Sequence, residues 1–180
     1  MGEYQYYEFC SLNKPLSKEA RQYMRSLSSR ARVSSHGASY VYNHSDFRGA
    51  PKQILLKYFD VFFYISNWGI VNLMFKYPAN KINFSAMKKH TKKDLIAYEK
   101  NNGYIIVNIV VDNEGDGAWI EGDKILPDLL PLYDELKVKD YRLFDIVVAI
   151  DNHFNGNGEL DIESLKPFSE AQQALVDIFN

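Results

Sequence analysis

The chain has 180 residues, 46% of them apolar and 24% charged, with a formal net charge of −2. That is the make-up of one globular domain, long enough to fold without a metal or a crosslink. A single cysteine, Cys10, excludes an internal disulfide and any multi-cysteine zinc or iron–sulfur site.

Apolar runs such as Val61–Ile65 and Ile146–Ile150 fall far short of the ~20 residues of a membrane helix. The opening Met1-Gly2-Glu3-Tyr4 lacks the basic and apolar regions of a signal peptide. The expectation is a cytoplasmic protein with no membrane association. Charge is unevenly spread: residues 1–93 carry 15 Lys/Arg against 5 Asp/Glu, and residues 94–180 carry 6 against 18. Such asymmetry marks either a nucleic-acid surface or two halves that pack together in one fold, and the second is favoured at this length.

In chain order, Tyr4–Cys10 alternates, with Gln5, Tyr7 and Phe9 on one side and Tyr4, Tyr6 and Glu8 on the other, so it predicts a strand. Ser17 is a helix N-cap, and Ala20, Tyr23, Met24 and Leu27 recur at helical spacing, which predicts a helix over 17–29. Residues 30–43 read as a bulged strand or a hairpin about His36-Gly37, and 43–51 as a loop. The stretch from Lys52 to about Ser66 is apolar nearly all round and predicts a central helix ended at Asn67-Trp68-Gly69. Ile70–Tyr77 predicts a strand. Asn102-Gly103 predicts a hairpin between 95–99 and 104–112. Leu126–Leu136 and Tyr141–Ile150 read as helices, although Ile146-Val147-Val148 also suits a strand.

The order is that of an α+β protein, a mostly antiparallel sheet with helices packed on one face, and it is compatible with a ferredoxin-like arrangement. Residues 1–150 read as one domain. Residues 151–180 read as a polar turn and a helical extension, the start of a further region.

Tyr4-Gln5-Tyr6-Tyr7-Glu8-Phe9, Leu27-Ser28-Ser29-Arg30-Ala31, Asp46-Phe47-Arg48-Gly49 with Pro51, Tyr58-Phe59-Asp60 and Asn67-Trp68-Gly69 resemble the N-terminal region of a family of uncharacterised prokaryotic proteins. The resemblance implies no activity or ligand. It implies that these residues are one domain of a longer protein.

Several features could carry chemistry. His44, Asp46 and Arg48 lie together in a loop before a helix N-terminus, a polar recognition surface for an anion. Asp60 in an apolar segment must be paired or hydrogen-bonded, and an arginine of the first helix is its expected partner. Trp68 is a candidate contact residue, and Lys88 and Lys89, near Phe84, are candidates for phosphate and base contacts. Asn155, Asn157 and Asp161 fall on EF-hand positions, but His153 and Ser164 replace two required ligands, so the segment is a weak metal candidate beside a plain polar turn. Asp112, Glu114, Asp116, Glu121 and Asp123 form an acidic, glycine-rich loop that could hold a divalent cation.

No GxGxxG, P-loop, HExxH, GxSxG or CxxC motif occurs, and no cofactor is expected. The reading favoured is a non-catalytic interaction domain that binds another protein or the remainder of a longer chain. The alternative is a divalent-metal-dependent hydrolase or a nucleic-acid-binding module using the basic half.

Overall fold

The computed structural model describes residues 2–113, 121–156 and 158–180. Seven strands, β1 (Gln5–Cys10), β2 (Arg32–Val33), β3 (Gly37–Tyr42), β4 (Val61–Ser66), β5 (Ile70–Pro78), β6 (Ile96–Asn101) and β7 (Tyr104–Asp112), form one sheet. Every neighbouring pair is antiparallel, in the order β2-β3-β1-β4-β5-β7-β6. Helices α1 (Lys18–Ser26) and α2 (Pro51–Tyr58) fall among the first four strands. Helices α3 (Phe84–Met87), α4 (Leu126–Leu129), α5 (Pro131–Lys137), α6 (Arg142–Phe154) and α7 (Glu170–Asp177) follow.

The first six elements run β-α-β-β-α-β and their strands lie as β2-β3-β1-β4, which is the ferredoxin-like arrangement. A three-strand extension, β5-β7-β6, continues the sheet beyond β4. The predicted α+β, antiparallel class is therefore observed, and the layering is fuller than expected. Helices α1 and α2 lie on one face over Tyr7, Phe9, Tyr40, Phe62, Met74 and Ile106. The opposite face carries Tyr6, Phe63, Leu73, Phe75, Val107 and Ile109, and α4 to α7 cover it. Helices thus pack on both faces, because strands buried on two sides need two apolar covers.

The central helix expected from Lys52 to about Ser66 is the one element that folds otherwise. Helix α2 ends at Tyr58, and 61–66 is β4 in the middle of the sheet. Val61, Phe63 and Ile65 turn to one face and Phe62 and Tyr64 to the other, so a strand apolar on both sides imitates a helix apolar all round. Asn67-Trp68-Gly69 is consequently a hairpin turn and not a helix exit, and Gly69 has φ 95° there.

Other local signals act as read. Ser17 caps α1, its Oγ accepting the Ala20 N–H at 3.1 Å. Asn102 and Gly103 take φ 48° and 83° at the β6–β7 turn, the left-handed pair that matches strand twist. Helix α7 packs Ala171, Leu175 and Val176 into the same core as the sheet. No helix among the described residues is long and apolar enough to cross a membrane.

Candidate functional site

The outer edge of β3 is only partly covered. Strand β2 pairs with Ala38 and Ser39 alone, because a turn before it, in which Ser28 Oγ accepts the Arg30 N–H at 3.1 Å and Ser28 O accepts the Ala31 N–H at 3.2 Å, swings the chain away. Gly37 O accepts the Ser34 N–H, so odd-numbered residues of β3 face outward. The ladder's alternation then points the N–H and C=O of Val41 outward as well, beyond the last residue of β2. Val41 is 36% exposed.

A cleft of about 620 Å³ opens beside that edge, lined by Ser28, Arg30, Val41, Tyr42, His44 and Arg48 among others. Three of its lining residues are basic in type and none is acidic. Its inner wall holds a buried Tyr42 hydroxyl with no hydrogen-bond partner, an unusual state for a phenol oxygen removed from water. Phe47 anchors the loop beneath, stacked on Tyr7 at 5.1 Å and packed on Tyr40 at 4.9 Å. Gly49 is needed for this packing, since a Cβ there would lie 2.6 Å from Ile54 Cδ1 and 2.8 Å from Phe47 Cε1.

The predicted trio separates. His44 and Arg48 line the cleft and are exposed. Asp46 reaches back, its Oδ1 accepting from Gln5 Nε2 at 3.3 Å, and Gln5 Oε1 in turn accepts from the Tyr7 and Tyr64 hydroxyls at 2.8 and 2.9 Å. Burial pushes the Tyr7 phenol up to about 12, so its hydroxyl remains a donor to Gln5 at neutral pH.

The remaining candidates lie apart from the cleft and from one another. Asp60 immediately precedes β4, where its Oδ2 accepts the Leu12 N–H at 2.8 Å in place of the expected ion pair with an arginine of α1. Trp68 is half-buried in the β4–β5 turn. Lys88 and Lys89 are exposed after α3, on the face opposite to α1 and its Arg21 and Arg25. Lys76 is buried, its Nζ donating to Leu56 O at 3.2 Å, and burial holds its pKa below the usual lysine range.

At the weak metal segment, Asn155 Nδ2 donates to Asp151 O and Oδ1, both at 3.0 Å, which turns its amide onto the end of α6. Asp161 is exposed. Asn157 lies outside the described residues, as do Glu114 and Asp116 of the acidic loop. Asp112, Glu121 and Asp123 are exposed. Among the described residues no three His, Cys, Asp or Glu side chains group to hold a metal ion.

Arg30, Val41 and Tyr42 were not singled out by sequence reasoning. The alternation of β3 was the available signal, but how far β2 covers it depends on a two-residue strand that no periodicity marks. No family model, curated protein or solved structure matches the chain. The class is therefore carried by the geometry alone: an α+β protein with a ferredoxin-like core and a partly open strand edge beside a basic cleft.

Proposed function

We propose that the chain is a non-catalytic interaction domain that binds an acidic, extended segment of another protein along the outer edge of β3. The observation that supports it is the exposed edge at Val41, where one further antiparallel strand has room to pair. Strand addition of this type draws affinity from main-chain hydrogen bonds and specificity from side-chain pockets. Arg30 and Arg48 supply the charge complement, and His44 stands beside them in the cleft lining. Exposed large apolar side chains, Tyr23, Val41, Tyr104 and Val138, are scattered over separate elements, so the reading rests on the edge and its charge. A cytoplasmic setting suits a partner of this type.

Peptide display against the whole chain tests it. The selected sequences should be acidic and β-branched, and their binding should shift the backbone amide resonances of Ser39, Val41 and Asn43. Val41→Pro removes one outward N–H and keeps the ladder to β1, so it should abolish binding with the circular dichroism spectrum unchanged. An absence of enrichment, or binding indifferent to Val41→Pro, refutes the reading.

A further inference from the structure

Among the described residues, the helical layer over the second face stops at α4 and leaves one corner of the sheet partly uncovered. There the register sets Glu8 opposite Ser39, and Ser39 opposite Arg32, in one row; Cys10 and Gly37 form the next. Pro127 and Leu130 wall the corner, and the open pocket there is about 440 Å³. It is separate from the cleft beside Val41.

Glu8 is the unexplained group in this pocket. It is half-buried, and the Tyr6 hydroxyl donates to its Oε1. Among the described residues no lysine, arginine or histidine stands within ion-pair distance of it. Burial raises its pKa, the Tyr6 hydrogen bond opposes that, and the charge of Asp123 adds to it. The other titratable groups facing it are Cys10 beside it, Arg32 from β2 and His36 from the β2–β3 turn; α4 contributes only Pro127, and Leu130 follows it. Arg32 is exposed two strands away, roughly 10 Å by strand spacing. A desolvated carboxylate with one donor retains free acceptor sites, and an ammonium group brings three donors. The Glu8 carboxylate disfavours an anion beside it.

We infer that this pocket binds a small organic cation, a primary ammonium on an apolar body, with the ammonium on Glu8 and the body against Pro127 and Leu130. Each part of the ligand has a stated counterpart: the charge meets the carboxylate, and the apolar portion covers the exposed end of the helical layer. Neither contact uses the β3 edge, so the inference stands independently of the strand-addition reading.

Benzylamine is the probe and benzyl alcohol its uncharged isostere, titrated into the whole chain by amide NMR at neutral pH. Benzylamine should shift Glu8, Cys10, Ser39 and Leu130 saturably, and the alcohol should not. Glu8→Gln should weaken the amine by at least about tenfold, the scale of a lost charge-assisted hydrogen bond. Ser39→Lys, which sets an ammonium directly opposite Glu8, should abolish binding and serves as the second variant if Glu8→Gln fails to fold. Lowering the pH until Glu8 is protonated should release the amine. Equal shifts from amine and alcohol, shifts confined to the rim at Arg32 and His36, or no shift at all would each overturn the inference.

Discussion

Asp60 illustrates how a charged residue in an apolar segment finds a structural task. Its carboxylate accepts the Leu12 N–H, its own N–H donates to Cys10 O at 2.9 Å, and its carbonyl accepts the Lys76 N–H at 2.8 Å. Asp60 therefore ties the end of β1 to the entry of β4 and to the later part of β5. Removing the carboxylate strands the half-buried Leu12 N–H, and an orphaned donor costs about 1–3 kcal/mol when wholly removed from water, so the lower end applies. Asp60→Ala should lose stability on that scale in urea unfolding, whereas Asp60→Asn, which keeps an acceptor, should lose much less. Equal losses would point to the charge and not the hydrogen bond. Cys10 is likewise quiet, since burial, with the charges of Glu8 and Asp60, pushes its thiol up to about 11. Only the thiolate is nucleophilic, so iodoacetamide should modify Cys10 slowly at neutral pH and markedly faster as the pH approaches that value.

At the scale of elements, the turn that precedes α4 is held by an unusually close approach. Gly122 lies against the Tyr6 ring, where an added Cβ would sit 2.4 Å from ring carbons, and its N–H donates to Tyr4 Oη at 2.9 Å. Tyr6 is 3% exposed and cannot swing aside. Gly122→Ala should destabilise by about 1–3 kcal/mol, the range for forcing a methyl group into a packed core, read as a fall in the urea midpoint. Signals this local are also the ones a sequence carries well: the Ser17 cap, the Asn102-Gly103 turn and the alternation of β1 all mark what they form. Strand β4 was hidden because burial on both faces erases the period that separates strand from helix. The corner around Glu8 was half visible, since alternation puts Glu8 with Tyr6 on one side of β1. That this side is left partly uncovered depends on where α4 ends, a property of tertiary packing.

Across the whole molecule, the basic and acidic halves of the chain meet in one sheet, and Lys52–Glu99 at 3.1 Å and Lys92–Asp151 at 3.7 Å join them. These pairs are largely exposed and contribute little. The ionic groups that set stability against pH are better sought where burial or dense hydrogen bonding shifts them. Asp140 is one. Arg142 donates to it from Nε at 2.9 Å and Nη2 at 2.7 Å, and the buried Gln172 of α7 donates to it at 3.3 Å and to Glu135 at 2.9 Å. The Arg142 hydrogen bonds hold the Asp140 carboxyl below the usual carboxylate range. A group depressed on folding stabilises above its unfolded pKa and loses that contribution as pH falls through the folded value. Glu8 is shifted the other way, so the stability it favours is present below its ordinary pKa and lost as pH rises through the raised one. Two charge-removing variants should therefore move in opposite directions. Asp140→Asn should melt below the parent protein at neutral pH, loosening α7 from the α5–α6 junction. Glu8→Gln should melt at or above it. Both differences should shrink toward zero in acid, where each carboxyl is protonated in the parent as well. Melting curves taken from neutral pH down through the carboxylate range check this, and variants that shift in the same direction would show that burial does not set the sign at Glu8.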